Sequence, residues 1–236
     1  MTHSIHVKGF DSFTTSAYQE GAGPMIEALE QAGHRVTYLP NHLAPNEFPQ
    51  SVEGLQEHDV VILSDIGANT LLLPDQTFVN SERSPNRLKL IHDYVASGGS
   101  LLMVGGYLTF QGIEGKAAYR GTPVEAALPV ELLATDDRVE SPDGVVPDIV
   151  QADHPVLEGL TDWPHFLGYN RATLKSGATL LAKVGDDPFI AVTDYQQGRS
   201  AVFASDCGPH WGPPEFVSWQ HYGRLWEKLV AWLAGE

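Results

Sequence analysis

Two glycine pairs enclose a short apolar run in the middle of the chain, and this arrangement most limits the folds available to it. Gly98–Gly99 comes shortly before the run Leu101–Val104, and Gly105–Gly106 follows it directly. Four apolar residues between turns are typical of a strand that is covered on both faces. The residues before the first pair, Asn86–Ala96, have apolar side chains at helical spacing. A helix followed by a buried strand indicates a parallel α/β sheet.

The same alternation predicts further elements. In the first half we predict strands at Ser4–Gly9, Arg35–Leu39 and Val60–Ser64, and helices at Gly23–Ala32 and Val52–Glu57. In the second half we predict a short helix within Thr122–Leu132, strands at Thr179–Lys183, Phe189–Tyr195 and Ser200–Ser205, and a closing helix at His221–Leu233. The turn sequence QQGR predicts that the last two strands form an antiparallel hairpin. The expected fold is one α/β domain over residues 1–236, a three-layer sandwich with a mostly parallel central sheet.

The net charge and the lengths of the apolar runs argue against nucleic acid and membranes as binding partners. The chain has 30 acidic and 14 basic residues, a formal net charge of -16, so it repels nucleic acid and anionic membrane surfaces. Its apolar runs are far shorter than the roughly 20 residues that a bilayer span needs. The single cysteine, Cys207, has no partner for an internal disulfide, and the first ten residues lack the pattern of a signal peptide. We therefore expect a cytoplasmic protein.

Four segments follow predicted strands, at the edge of the sheet where open α/β folds bind ligands. They are Phe10–Gly21, Ser64–Asn69, Gly105–Gly112 and Ser205–Gly212. Hydroxyl side chains in a predicted loop at Ser12–Ser16 and glycine-rich backbone elsewhere suit a small polar ligand. The sequence does not identify that ligand.

The turn after Val104 can expose one side chain in a strained position, as a nucleophile elbow does. The side chain at this turn is Tyr107, which follows Gly105 and Gly106. A phenol has a pKa near 10 and needs strong activation to act as a nucleophile or base. Close packing of strand and helix would explain the two glycines equally well.

The stretch FASDCGPHWGPPE after the last strand contains the residues most able to carry chemistry. His210 is the leading candidate base, and Asp206 or Glu215 could orient its imidazole. Cys207 could form a thiolate and imidazolium pair with His210, although a lone cysteine is more often a small buried apolar residue. Trp211 and the neighbouring prolines restrict the surroundings of His210.

Six residues of these four segments, and two residues outside them, are candidates for ligand binding. His154 precedes a proline, and either caps a helix or lines the pocket. Metal binding by His154, His210, Asp65 and Asp206 is not predicted, because no metal-ligand spacing links them. No cofactor is predicted either, since the glycine pair lacks the rest of a dinucleotide-binding motif. The candidates for ligand binding are Gly105, Gly106, Asp65, Asn69, Gln111, His154, Trp211 and Glu215.

Four stretches of the chain resemble the class I glutamine amidotransferase-like superfamily. They are DVVILSDIGAN, YVASGGSLLMVGGYLTFQG, DHPVLEGL, and FASDCGPHWGPPEF with the closing helix. The likeness is greatest to a branch of glutamine amidotransferase-like and uncharacterised cytoplasmic proteins, related to trehalose-utilisation-type proteins. The resemblance implies a flavodoxin-like sheet, an elbow that reads Gly-x-Cys-x-Gly, and a histidine with a nearby glutamate after the last strand.

The chain departs from that pattern at the elbow, where Tyr107 stands in place of the cysteine. We therefore expect no glutaminase activity of the usual kind, but a small-molecule pocket with hydrolytic or acid–base chemistry that uses His210, Asp206, Cys207 or Tyr107. The alternative is a non-catalytic protein of the same fold that binds a ligand or assembles into a homo-oligomer. In that hypothesis the insert Gly67–Pro85 and exposed tryptophans, Trp211, Trp219 and Trp226, form the interface.

Overall fold

The structure, a computed structural model, describes residues 2–8 and 11–17 by their strands and residues 20–236 in full. Its strands are β1 (Thr2–Lys8), β2 (Asp11–Ala17), β3 (Val60–Ser64), β4 (Ser100–Val104), β5 (Val130–Leu132), β6 (Arg138–Val145), β7 (Asp148–Ile149), β8 (Phe166–Asn170), β9 (Ala172–Leu174), β10 (Thr179–Val184), β11 (Asp187–Tyr195) and β12 (Gly198–Phe203). Its helices are α1 (Gly23–Gln31), α2 (Ala44–Glu47), α3 (Val52–Leu55), α4 (Ala68–Leu72), α5 (Asp75–Phe78), α6 (Arg87–Ala96), α7 (Pro123–Ala127), α8 (Pro214–Val217) and α9 (Tyr222–Ala234), with a 3-10 turn at Ile113–Gly115.

A six-stranded mixed sheet forms the centre, in the order β3, β4, β12, β11, β10, β7. The pairs β3 with β4 and β4 with β12 are parallel, and the remaining pairs are antiparallel. Ser64, Val104 and Phe203 are aligned in register at the ends of the three parallel strands. Their carboxyl ends therefore form one edge, which we call the rim.

The predictions for the elements nearest the rim are confirmed. Every residue of β4 is buried, as the short run between glycines predicts. Helix α6 begins after Asn86, whose side chain accepts a hydrogen bond from the Lys89 backbone N–H, a common N-cap arrangement. The β11 and β12 hairpin forms across the predicted turn. The closing helix α9 buries one apolar face against β12 and β4: Leu225, Trp226, Leu229 and Leu233.

Three predictions for the first forty residues are wrong. The segment Arg35–Leu39 contains no strand, and its residues are exposed or half-buried rather than covered on both faces. Strands β1 and β2 pair with each other in an antiparallel ladder and do not join the six-stranded sheet. The predicted loop at Ser12–Ser16 is therefore strand, while Gly9, Phe10, Tyr18 and Gln19 lie outside the described residues. With these strands absent from it, the central sheet is mixed rather than mostly parallel.

Two further small sheets lie outside the six-stranded sheet. Strand β6 pairs with β8, and β5 pairs with β9, each as a two-stranded antiparallel sheet. The insert after β3 folds into α4 and α5. Within the described part of the chain, no helix is both long enough and apolar enough to cross a membrane.

Candidate functional site

The elbow after β4 continues the sheet for one more residue before it turns. The Gly105 backbone N–H donates to the Phe203 carbonyl at 2.7 Å. A side chain at Gly105 would place its Cβ 2.3 Å from the Ala204 carbonyl oxygen and 2.8 Å from Asn170 Oδ1. Only glycine allows this close approach of the elbow to the neighbouring strand.

A buried amide from β8 braces the elbow. Asn170 Oδ1 accepts from the Gly106 backbone N–H at 2.8 Å, and Asn170 Nδ2 donates to the Gly106 carbonyl at 3.1 Å. The same Nδ2 donates to Asp137 Oδ1 at 2.9 Å. Asn170 and Asp137 are both completely buried, so this network has little competition from water.

Asp137 binds the far end of the elbow loop. Its carboxylate accepts from the backbone N–H groups of Gln111 at 2.7 Å and Gly112 at 2.9 Å. Burial raises the pKa of Asp137, while the hydrogen bonds from Asn170 and the two backbone groups act in the opposite direction. The loop is thus fixed at both ends by side chains from β8 and from the segment before β6.

Two carboxylates from different strands converge at Gly106. Asp65, directly after β3, accepts from the Leu108 backbone N–H at 2.8 Å. A Cβ on Gly106 would lie 2.8 Å from Asp65 Oδ1 and 3.5 Å from Asp206 Oδ1. The φ angle of Gly106 is 149°, a region that favours glycine. A substitution here would therefore displace the Asp65 carboxylate, whereas its distance to Asp206 is an ordinary contact.

Tyr107 is bound by a carboxylate and covered by a guanidinium. Its hydroxyl donates to Glu140 Oε1 at 2.6 Å, and the Arg138 guanidinium carbon lies 4.4 Å from its ring centroid. Trp211 Nε1 donates to the other oxygen of Glu140 at 3.0 Å. Burial raises the pKa of Tyr107, and the Glu140 carboxylate raises it further. The phenol at the elbow is therefore a protonated hydrogen-bond donor.

His210 pairs with Asp206 across the loop that follows β12. His210 Nδ1 lies 3.3 Å from Asp206 Oδ2, and the imidazole side chain is 45% exposed. Burial raises the pKa of Asp206 to about 6, with a further contribution from Asp65. The hydrogen bond to Asp206 raises the pKa of His210, and the Asp206, Glu140 and Asp65 charges act in the same direction. One ring nitrogen is thus committed to a carboxylate, and the ring remains open to solvent.

The His210 ring also contacts the elbow side chain. The centroids of His210 and Tyr107 are 4.3 Å apart in an edge-to-face arrangement, and His210 stacks on Trp211 at 5.5 Å. The φ angle of His210 is 150°, which is unusual for a residue with a side chain. Strained backbone of this kind is frequent at functional sites.

Cys207 is buried and does not pair with His210. Its sulfur lies 3.9 Å from Ser64 Oγ, and only 3% of the residue is exposed. Burial raises the pKa of the thiol to about 12, and the Asp206 charge raises it further. The predicted thiolate and imidazolium pair does not form, because the imidazole faces Asp206 and the thiol packs among apolar groups beneath the loop.

The other predicted binding residues lie at different distances from the His210 and Asp206 pair. Gln111 lies in the elbow loop, where its side-chain oxygen accepts from the Arg120 backbone N–H at 3.2 Å. Trp211 is 1% exposed and stands beside Glu140. Asn69 is an exposed residue of α4, and Glu215 is an exposed residue of the first turn of α8.

His154 lies apart from the rim. Its Nδ1 accepts from the Val156 backbone N–H at 3.3 Å, and its ring lies 5.8 Å from that of Trp232 near the end of α9. That end of α9 contacts Ser100, the first residue of β4, through the Leu233 carbonyl. His154 is therefore at the opposite end of the parallel strands and does not line a pocket at the rim. Its contact with Val156 stabilises a turn and does not cap a helix, because residues 151–160 form turns.

Four residues of the site escaped sequence reasoning: Asp137, Arg138, Glu140 and Asn170. They belong to β6, β8 and the segment before β6, which carry no motif and pair through a bulged register. The charged run Asp136–Arg138 was the one local signal, and it is equally typical of a solvated turn. Among the described residues, no group of three or more His, Cys, Asp and Glu side chains is arranged to bind a metal ion.

Comparison with known proteins assigns the chain to a family over nearly its whole length. The family described as "Putative glutamine amidotransferase" matches residues 1–235. The cytoplasmic protein STM3548 from Salmonella typhimurium is 45% identical, with a TM-score of 0.94 over 98% of this chain and 94% of that one. The cytoplasmic protein STM1381 from Salmonella typhimurium LT2 is 44% identical, with a TM-score of 0.94 over 98% of this chain and 95% of that one.

A more distant structure shares the fold alone. It is a putative ThuA-like protein from Parabacteroides merdae, 12% identical, with a TM-score of 0.54 over 89% of this chain and 83% of that one. A search of curated protein sequences gave no match.

Proposed function

We propose that the rim binds a small polar molecule and uses His210 as an acid–base group. The chain belongs to the family of putative glutamine amidotransferases, and the proposal starts from that membership. We further propose that the chain is one domain, a flavodoxin-like three-layer sandwich. The packing of α1 on α9 and of α6 on α3 and α7 supports two helical layers around the sheet. We place the protein in the cytoplasm, as its two Salmonella relatives are described.

The pairing of His210 with Asp206 carries this proposal. A carboxylate on Nδ1 orients an imidazole and stabilises its protonated form, which leaves Nε2 to exchange a proton with a ligand or a water molecule. Asp206 is buried while the His210 ring is half-exposed, so the pair has an inner orienting group and an outer reacting group. This is the arrangement that general acid–base catalysis requires.

The elbow argues against hydrolysis of glutamine through a thioester. Tyr107 occupies the position of the family's nucleophile, and its phenol is protonated and bound to Glu140. The single thiol, Cys207, is buried with a raised pKa. Since a thiolate is the reactive form of cysteine, neither residue supplies a ready nucleophile. Any hydrolysis at this rim would use water activated by His210.

A second candidate function is ligand binding without turnover. It is favoured by the contact between Tyr107 and His210, whose rings are 4.3 Å apart. In this arrangement the phenol covers part of the imidazole, and a ligand would contact both rings. The two candidates differ in whether His210 changes a rate or only an affinity.

The test is a hydrolysis assay on the full chain with p-nitrophenyl acetate, γ-butyrolactone and L-glutamine as probes. We expect no ammonia release from glutamine. We expect hydrolysis of one of the other probes to fall at least about 100-fold in His210→Ala, since a positioned acid–base group contributes about that much. Cys207→Ser should retain the activity.

Asp194→Asn is the matched control for Asp206→Asn. Asp194 is 84% exposed at the hairpin end of β11, at the opposite end of the parallel strands from the rim. Asp206→Asn should lower hydrolysis and Asp194→Asn should not. Ammonia release that disappears in Cys207→Ser would overturn the loss of glutaminase activity, and hydrolysis that is unchanged in His210→Ala would overturn the role of the imidazole.

A further inference from the structure

The insert between β3 and α6 presents apolar side chains to solvent on a rigid surface. Phe78 is 73% exposed and Val79 is 68% exposed at the end of α5. Leu73, between α4 and α5, is 39% exposed, and Leu43, before α2, is 37% exposed. Helix α2 packs against both α4 and α5, so these residues form one surface, which we call the insert patch.

The insert patch is held by specific bonds and does not behave as a loose loop. Asn46 Nδ2 donates to Asp75 Oδ2 at 2.9 Å, and the Asp75 backbone N–H donates back to Asn46 Oδ1 at 3.0 Å. Thr77 Oγ1 and Ser84 Oγ are 2.6 Å apart across the turn that follows α5. A surface that is ordered before binding loses little conformational entropy when a partner docks.

The buried Arg87 anchors the same region from below. Its side chain is completely buried at the start of α6, and Nη1 donates to the Pro45 carbonyl of α2 at 2.5 Å. Burial lowers the pKa of this guanidinium. The bond to Pro45 connects α2 to the start of α6.

The charge of the region suits a second copy of this chain. The charged residues of segment 67–86 are Asp75, Glu82 and Arg83, so both signs of charge lie beside the exposed apolar side chains. The exposed neighbours Glu82 and Arg83 are self-complementary, because a two-fold axis can set each Arg83 opposite Glu82 of the other copy.

A groove lies beside the protruding side chains. It has a volume of about 530 Å³ and is lined by Leu72, Thr77 and residues 81–86. In an isologous dimer the same patch is used by both copies, so a protrusion and a neighbouring groove on one surface can each receive the other. Phe78 provides the large aromatic side chain that is typical of the centre of such interfaces.

We propose that the insert patch is a homodimer interface, in which Phe78 and Val79 of each copy pack against the groove of the other copy and Arg83 pairs with its Glu82. The proposal does not depend on the chemistry at the rim. Trp211 and Trp226, which the sequence suggested for an interface, take no part because they are 1% and 0% exposed.

The test is sedimentation velocity on the full chain at micromolar concentrations. We expect a dimer for the wild type and an increase of at least about tenfold in its dissociation constant for Phe78→Glu. The matched control is Val146→Glu, which adds the same charge at a residue after β6 that is 56% exposed, and it should leave the dimer unchanged. A monomeric wild type, or an equal effect of the two variants, would overturn the proposal.

A charge exchange provides a second measurement that does not depend on Phe78. We expect Glu82→Arg and Arg83→Glu to weaken the dimer separately, since each places like charges opposite each other. The double variant should restore it to within about threefold of the wild type. If the double variant is as weak as the sum of the two single variants, the pairing across the two-fold axis is wrong.

Discussion

The two loops that follow the adjacent parallel strands β4 and β12 occupy the same rim and differ in how they are held. Buried polar groups from outside the sheet, Asn170 and Asp137, hold the elbow loop 105–112 through its backbone. The loop 205–212 instead buries its thiol and extends an imidazole toward solvent. One loop is fixed so that its side chain at residue 107 is presented, and the other is folded so that its most nucleophilic atom is hidden.

This difference teaches that the position of a residue in the fold decides its chemistry more than its identity does. Cys207 and Tyr107 lie at the ends of neighbouring strands. Burial raises the pKa of both, to about 12 for the thiol, so that neither is ionised near neutral pH. Of the side chains in these two loops, His210 has the pKa and the exposure that suit proton transfer.

The largest predicted effect concerns the reactivity of Cys207, and it tests whether loop 205–212 hides its thiol. A thiol with a pKa of about 12 contains about a thousandfold less thiolate near neutral pH than an ordinary cysteine. We expect alkylation by iodoacetamide to be slower than that of the urea-unfolded chain by at least about 100-fold. The rate should not change in His210→Ala. Fast alkylation that falls in this variant would mean that the imidazole activates the thiol after all.

Removal of the Asn170 amide tests the brace of the elbow loop. Asn170→Ala leaves the Gly106 backbone N–H and carbonyl without their side-chain partner, and it removes one of the hydrogen bonds to the buried Asp137 carboxylate. We expect the free energy of unfolding, measured in urea, to fall by about 3 kcal/mol. Asn80→Ala, at an exposed position of the insert, should change it by less than about 0.5 kcal/mol. Equal effects of the two substitutions would show that the brace contributes nothing.

The pH dependence of the free energy of unfolding tests the burial of Asp206 in loop 205–212. The pKa of Asp206 is about 6 in the folded chain and near 4 when unfolded, so the folded state binds more protons between these values. Stability from this group is present below pH 4 and is lost as the pH rises through 6. His210, whose pKa is also raised, loses its contribution in the same direction above pH 6.5.

Asp206→Asn should remove the first part of that loss. Between pH 4 and 6 we expect the wild type to lose about 2 to 3 kcal/mol relative to the variant, measured by urea unfolding at each pH. Parallel curves for the two proteins would contradict a raised pKa at Asp206.

The smallest effect concerns the glycine at which the two carboxylates meet. Gly106→Ala places a Cβ 2.8 Å from Asp65 Oδ1 at a φ of 149°. We expect a loss of about 2 kcal/mol in the free energy of unfolding. Gly223→Ala is the matched control in α9, where a Cβ would meet Ala28 at an ordinary 3.6 Å, and it should be neutral or stabilising. A harmless Gly106→Ala would show that the elbow has room for a side chain.

The sequence predicted those parts of the fold whose signal is local. The run between glycine pairs identified β4, the helical spacing of apolar residues over Asn86–Ala96 identified α6, and the turn signal identified the hairpin of β11 and β12. The segment Arg35–Leu39 also has strand-like composition, yet no strand pairs with it. Strand formation depends on a neighbour that lies elsewhere in the chain, which a local pattern does not contain.

The candidate site was predictable at the strand ends and not beyond them. Asp65, Tyr107, Asp206 and His210 follow strands that the sequence identifies, so the rule for open α/β sheets brought them together. Glu140 and Asn170 come from strands whose pairing with each other is irregular and carries no motif. Their place at the rim follows from long-range packing, and that information was absent from the spacing of residues.

The bond between Gly106 and Asn170 joins residues that are 64 positions apart, and this separation sets an order of events during protein synthesis. The glycine turn leaves the ribosome well before the amide that secures it. A nascent chain that ends before residue 170 therefore has β4 and its glycines but no means of locking the turn. The rim is completed only when the later half of the protein emerges, so its assembly is a late step of folding on the ribosome.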